Sequence, residues 1–436
     1  MFGYYLELAL RSLKRSKALT ALMVLAVAMG IGACMTTLTV LHVVSGDPIP
    51  SKSQRLFYPQ LEPRDTDNGF YSKGEPPSQV SWQDGMALLK AGRADRQALM
   101  TGGTAPVQQD GSQAEPFFAR ARYTTADFFP MFEVPLRYGH AWSRAEDEAR
   151  SRIVVISSVL NNRLFHGEDS TGRTLRYNGV TLQIVGVMKP WRPHPHFYDL
   201  NADSYADTEE LFMPLSTSRD LHGPRNGSRD CWGQGGKVQE DVLETANCTW
   251  MQLWVEIDDP AKVAEYKAFL THYSEEQRAA GRFKLPVNVR LRNVTQWLDY
   301  NQVVPSDVHL QVWLALGFFV VCLVNTVGLM LAKFLRRSGE IGVRRALGAS
   351  RVAVFAQLLT EAGIIGLSGG LAGLVMAVGG LWLVRQQPDD YASLAHLDLP
   401  MLAATFAIAI TATLVAGLLP AWRACQVTPA LQLKSS

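Results

Sequence analysis

Four stretches of this chain, Ala18–Val44, Leu310–Leu331, Val352–Val384 and Met401–Pro420, are apolar along almost their whole length. A helix rises about 1.5 Å per residue, so about 20 apolar residues cross the roughly 30 Å of hydrocarbon in a bilayer. Each stretch meets that length. The pattern predicts transmembrane helices over 18–44, 310–332, 352–384 and 401–420. A mean hydropathy of +0.00 conceals them, because the rest of the chain balances their apolarity. A cleaved leader has an apolar region of about 7–15 residues and a small-residue cleavage site. The first stretch is longer and shows no such site, so it is expected to remain as an anchor.

Lys and Arg in short flanks set orientation. Arg11, Lys14, Arg15 and Lys17 lie in the segment 1–17 before the first span. Lys333, Arg336, Arg337, Arg344, Arg345 and Arg351 lie in the segment 333–351 between the second and third. These flanks are expected in the cytoplasm. The segment 385–400 carries Asp389, Asp390 and Asp398 against Arg385 and is expected outside, which returns the tail 421–436, with Arg423 and Lys434, to the inside. Both termini are thus expected to be cytoplasmic. Before the first span, apolar and charged residues alternate at helical spacing from Phe2 to Arg15, as in an amphipathic helix lying at a membrane surface; a basic flank that only sets topology is the alternative.

Small residues in the spans allow close helix contact where lipid gives no hydrophobic drive to associate. The first span has the pairs Ala26/Gly30 and Ala28/Gly32; the third has Gly363, Gly366, Gly369, Gly370 and Gly373, with two overlapping G-x-x-x-G pairs. Packing within one subunit and a seam between two subunits both fit. Glu361 and Gln357 stand near the start of the third span, and Asn325 lies within the second. An ion pathway needs several partners at matching depth, so Glu361 is expected to contact another helix or the basic connecting segment.

Between the first two spans, residues 45–306 have the composition of a water-soluble domain with room for one or two cores. Arg152–Leu160 and Leu175–Val187 read as strands, the second containing a hairpin turn at Asn178-Gly179. Ser158–His166 and Ala261–Ala280 read as helices, Leu285–Arg292 as a strand and Val294–Val304 as helical. Pro190–Cys248, rich in Pro, Gly, Asn, Asp and Ser, is expected to be loop-heavy. Within it, a disulfide between Cys231 and Cys248 would close a loop of about 18 residues, worth about 3 kcal/mol; two separate thiols are the alternative. Cys34, Cys322 and Cys425 receive no role. The fold class is an α+β membrane protein with four transmembrane helices and a large mixed α/β extracytoplasmic domain inserted between helices 1 and 2.

No G-x-x-x-x-G-K-[ST] phosphate loop occurs, since Gly236-Lys237 is followed by Val, so no ATP site is expected in this chain. The nine His are scattered, and the nearest pair, His194 and His196, flanks a proline, which reads as surface histidines and not a metal site. No G-x-S-x-G elbow in a strand-turn-helix context is present. The net charge of +2 reflects topology and not a nucleic-acid footprint. No cofactor, metal, catalytic residue or nucleic-acid partner is expected.

The segment from Arg336 to Arg351 has a helix-compatible pattern, with Ile341, Ala346 and Leu347 able to share one side, Val343 at its edge, and Glu340, Arg344, Arg345 and Arg351 elsewhere. Gly339 and Gly348 mark its ends, Gly348 in the manner of a C-terminal cap. Such a helix between two spans has the form of a docking peg. Glu340-Ile341-Gly342-Val343-Arg344-Arg345-Ala346-Leu347-Gly348-Ala349-Ser350, followed by Gln357, Leu358, Glu361 and the glycine-rich span, resembles the signature of MacB/FtsX-like ABC transporter permeases. Leu8-Ala9-Leu10-Arg11-Ser12-Leu13 is similar to the family's first helix, and Pro420-Ala421-Trp422-Arg423-Ala424 with Pro429-Ala430 to its terminal motif. In the outer domain, Val154-Val155-Ile156-Ser157, Leu164–Asp169, Gly172–Leu175, Asn178-Gly179 and Ile184–Val187 resemble the MacB-type periplasmic domain.

The resemblance implies a bacterial inner-membrane, multi-pass permease subunit whose coupling helix docks on an ATPase through Glu340, Ile341, Gly342, Val343, Arg344, Arg345, Leu347 and Gly348. It implies a cytoplasmic ABC ATPase on a separate chain, which binds ATP and Mg, a second permease in a homo- or heterodimer, and a periplasmic adaptor and outer-membrane channel. Efflux of a drug, peptide or other small molecule by mechanotransmission is the expected function. Transmembrane signalling to a periplasmic partner, or lipoprotein extraction, is the alternative. Pro190–Cys248 does not align with the family pattern.

Overall fold

The computed structural model describes residues 2–66, 74–201, 204–205, 207–233, 238–239, 242–304, 306–386 and 399–425. The acidic stretch Asp389–Asp398 and the tail containing Pro429 and Lys434 lie outside the described residues. The chain forms two units, Met1–Ser45 with Val304–Ser436, and Gly46–Val303.

The first unit contains four helices long and apolar enough to cross a membrane: Lys17–Val44, Asp307–Arg336, Arg351–Val384 and Met401–Arg423. These are spans 1 to 4. An N-terminal helix, Phe2–Arg15, precedes them, separated from span 1 by the non-helical backbone of Ser16. Span 2 stays helical through Lys333 to Arg336, one turn beyond the apolar run. Helix Ser338–Ala346 follows, and Gly348, at a φ of 99°, takes the left-handed backbone that ends it cheaply. Ser350 caps span 3, its Oγ accepting the Ala353 N–H at 3.1 Å.

The glycines of span 3 serve two neighbours. A Cβ on Gly369 would stand 2.6 Å from Val27 Cγ1, and one on Gly373 2.9 Å from Ile31 Cγ2, both on span 1. Gly366 and Gly370 meet Thr413 and Ala409 on span 4 instead. On span 1, Gly30 lies against Phe319 and Gly32 against Met376. Packing within the subunit therefore accounts for these small residues. Gly363 has only Leu414 Cδ2 at 3.8 Å, an ordinary contact.

The second unit is built on strands β1 (Leu56–Gln60), β2 (Val80–Ser81), β3 (Arg96–Gln109), β4 (Phe117–Thr124), β5 (Leu136–Gly139), β6 (Ile153–Ile156), β7 (Thr174–Tyr177), β8 (Val180–Met188), β9 (Leu211–Pro214), β10 (Asp230–Cys231), β11 (Cys248–Glu256) and β12 (Arg290–Asn293). The sheet runs β12-β1-β11-β3-β4-β9-β6-β8-β5, with β2 and β10 on β11 and β7 joining β3 to β8. The pairs β4/β9 and β6/β8 are parallel and the others antiparallel.

Both faces are covered. Val154 and Ile156 enter one core with Leu182, Ile184 and Leu253, while Ile153 and Val155 enter an aromatic core with Phe128, Phe212 and Trp254. This is why β6 reads as an unbroken apolar run and not an alternation. The expected hairpin is present: Tyr177 pairs with Val180, and Asn178 and Gly179 both have positive φ, as a tight two-residue turn requires. The expected helices at 158–166 and 261–280 form as Ser158–Phe165 and Ala261–Ala279. The expected strand at 285–292 shortens to Arg290–Asn293, where a capping box of Asn293 and Gln296 starts helix Val294–Tyr300.

Among the described residues, 190–248 is mostly irregular, as expected, yet its few regular elements matter to the sheet. It supplies β9, which lies between β4 and β6, and helix Leu215–Asp220. A four-residue strand, Leu-Phe-Met-Pro, is too short to show a period. The segment also carries partners of a fully buried cation. Arg122 Nη1 donates to Asp199 at 2.7 Å, its Nε donates to Glu209 at 2.9 Å, and Tyr198 Oη donates to Glu209 at 2.7 Å. Burial pushes the Glu209 carboxyl up, but Arg122, then His196, outweigh it and hold the group far below the usual carboxylate range. Cys231 and Cys248, opposite each other on β10 and β11, are joined by a disulfide.

Candidate coupling site

At the basic end of the membrane unit, the chain breaks its helix at Arg337, whose φ of −102° and ψ of 12° separate span 2 from helix Ser338–Ala346. The Arg337 guanidinium sits at that corner and joins three elements. It donates to Glu340 Oε2 from Nε and Nη2, each at 3.2 Å, to Glu361 Oε1 of span 3 from Nη1 at 3.0 Å, and to Ser12 Oγ of the N-terminal helix. Its planar fork suits several acceptors at once. Glu361, 0% exposed, also pairs with Lys333 of span 2 at 3.0 Å. The contact expected of Glu361 is therefore made to both span 2 and the connecting segment.

Glu340 accepts from Arg337 and also from Arg15. Burial pushes its carboxyl up, yet the two guanidinium groups, Arg337 foremost, prevail and hold it below the ordinary value. Arg344 Nη1 donates to Gln357 Oε1 at 2.9 Å. Charges expected to project from the helix thus brace it against its own subunit.

The apolar side is also divided. Ile341 is buried with Phe334, Val354 and Leu358, and Gly342 is buried beside it. Ile341 is corrected to an inward anchor, because the turn at Arg337 rotates it toward spans 2 and 3. Val343 and Leu347 point away, 52% and 83% exposed. Arg345 lies on the helix next to them and Gly348 ends it. The sequence reading missed Lys333, Arg337 and Ser12 as participants. Three cations within residues 333–337, at the end of span 2, were the available signal, but they read equally as topology.

Two family models match most of the chain. Residues 20–273, more than half of it, match the MacB-like periplasmic core domain, and residues 312–429 match the FtsX-like permease C-terminal domain. The chain belongs to the MacB/FtsX-like ABC permease family. It is 24% identical over 315 residues to the macrolide export ATP-binding/permease protein MacB of Wolinella succinogenes, covering 72% of this chain and 43% of that protein. It is 24% identical over 318 residues to the pyoverdine export ATP-binding/permease protein PvdT of Pseudomonas aeruginosa, covering 71% of this chain and 41% of that one. This MacB/FtsX-like permease chain thus spans about two fifths of the length of those relatives. A solved structure, the periplasmic region of MacB from Actinobacillus actinomycetemcomitans, aligns with a TM-score of 0.38 at 15% identity over 59% of this chain and 96% of that one. Membership makes the chain a multi-pass membrane protein, with the mixed α/β domain placed between its first two spans.

Proposed function

We propose that this permease exports a small molecule or peptide, driven by an ABC ATPase that binds ATP and Mg. The basic end faces the cytoplasm, where the ATPase docks on helix Ser338–Ala346. The observation that carries this reading is the division of that helix. Ile341 and Arg337 fix it to its own subunit, while Val343 and Leu347 stand outward, exposed among the described residues. A helix anchored on one side and apolar on the other transmits a push from a partner to spans 2 and 3. The two exposed side chains supply burial, and neighbouring charges supply orientation.

A second permease copy completes the transporter, and a periplasmic adaptor with an outer-membrane channel receives the cargo from the outer domain. The MacB-type domain supports export over signalling to a periplasmic enzyme. ATPase co-purification in nanodiscs tests the docking. Leu347→Asp with Val343→Asp is expected to lose the ATPase while the permease remains folded. An ATPase that stays bound and active on the double variant would overturn the docking assignment.

A further inference from the structure

The outer unit contains a groove of about 960 Å³ that the coupling site does not use. Clefts of roughly 300–1,000 Å³ with an apolar wall and a few convergent polar groups are the usual form of small-molecule sites. Helix Trp82–Ala91 supplies Trp82 and Met86, helix Leu215–Asp220 supplies Leu215, and helix Arg144–Glu148 forms a charged wall. Met86 is 40% exposed, and Trp82 is held by stacking on Trp250 at 6.2 Å.

The charges of the lining do not balance. Arg144 is taken by Asp127 at 2.6 Å, Arg150 by Asp220 at 3.2 Å and Arg219 by Glu244 at 2.7 Å. Among the described residues of the lining, Asp95, which accepts the Asp258 N–H at 2.8 Å, Asp147 and Glu148 remain against the ammonium of Lys90, with His222 the other titratable group. Asp147 is steadied by Ser216 Oγ at 2.9 Å and by the Ala126 N–H at 3.3 Å, and Glu148 is exposed.

A separate observation points the same way. Gln97, also in the lining, is only 7% exposed. Its Nε2 donates to the Leu89 carbonyl at 3.2 Å, whereas its Oε1 is buried with no donor. A buried acceptor without a donor is uncommon and costly unless something supplies the missing N–H.

We propose that this groove binds an amphipathic organic cation. Its N–H or ammonium group takes the Gln97 carbonyl oxygen and the carboxylates of Asp147 and Glu148, and its apolar body lies against Trp82, Met86 and Leu215. That the bound cation is cargo rests on the export reading, but binding itself does not, so it is measured without ATPase.

The test uses the full chain in nanodiscs, with empty discs subtracted, and the fluorescence anisotropy of two related dyes, cationic rhodamine 6G and anionic fluorescein. Saturable rhodamine 6G binding is expected, with fluorescein about tenfold weaker or more. Glu148→Lys, at an exposed position, and Gln97→Leu, which removes the acceptor at similar volume, are each expected to weaken rhodamine 6G binding about tenfold. Failure to bind above empty discs, equal binding of both dyes, or binding that survives both substitutions would each overturn the assignment. An ATPase that stays docked on the Val343→Asp/Leu347→Asp variant, with rhodamine 6G binding intact, would instead reject the coupling reading alone.

Discussion

Arg337 Nη1 lies 3.0 Å from Glu361 Oε1, closing a contact between the corner that follows span 2 and the buried flank of span 3. Lys333 approaches the other oxygen of the same carboxylate at 3.0 Å. One carboxylate thus holds the buried Lys333 and shares Arg337 with Glu340.

Removing that acid leaves Lys333 buried and unpaired. Breaking a buried ion pair from one side costs about 3–5 kcal/mol, whereas replacing both partners by apolar groups is often neutral. Glu361→Ala is expected to lower the thermal midpoint of the purified permease in detergent sharply. Lys333→Met combined with Glu361→Leu is expected to recover much of the loss; a double variant no better than Glu361→Ala would refute the pairing as the cause.

The two sets of glycines on span 3 are expected to respond differently from Gly363. Gly373→Leu forces a side chain into Ile31 and Ala28 of span 1, where overpacking costs about 1–3 kcal/mol. Gly363→Ala meets only Leu414 at 3.8 Å and should be neutral or stabilising by up to about 1 kcal/mol. Size-exclusion profiles after graded heating distinguish the two.

In the outer unit, Arg122→Met leaves Glu209 and Asp199 buried without their cation, at a cost of about 3–5 kcal/mol. The folded Glu209 is depressed relative to the unfolded chain, so its contribution is fully present above the ordinary carboxylate value and is lost as pH falls through the folded one. Acid unfolding followed by tryptophan fluorescence should therefore begin at higher pH in Arg122→Met than in wild type. Identical acid profiles would show that the cluster does not govern acid stability.

Reduction of Cys231–Cys248, or Cys231→Ser with Cys248→Ser, releases a cross-link that joins positions 17 apart in sequence. A loss of about 2–4 kcal/mol is expected, seen as a lower denaturant midpoint for the outer unit with spans 1 to 4 unaffected. A midpoint unchanged by reductant would mean that β10 and β11 hold the segment without it.

The spans were legible because crossing hydrocarbon needs about 20 apolar residues in a row, a property of the chain in one dimension. The Asn178-Gly179 hairpin and the Gly348 cap were legible because their backbone demands are met by neighbouring residues. The central strand β9 was not: four residues buried on both faces carry no period, and its partners β4 and β6 lie far away in sequence. The site divides in the same way. The sequence by itself determined that a short basic helix lies between two apolar spans. Only the tertiary structure decided that Ile341 turns inward, that Val343 and Leu347 face out, and that Ser12 and Glu361 share the Arg337 guanidinium. The reason is physical: a helical pattern fixes which residues share a face, but the direction of that face depends on charges brought together by packing across hundreds of residues.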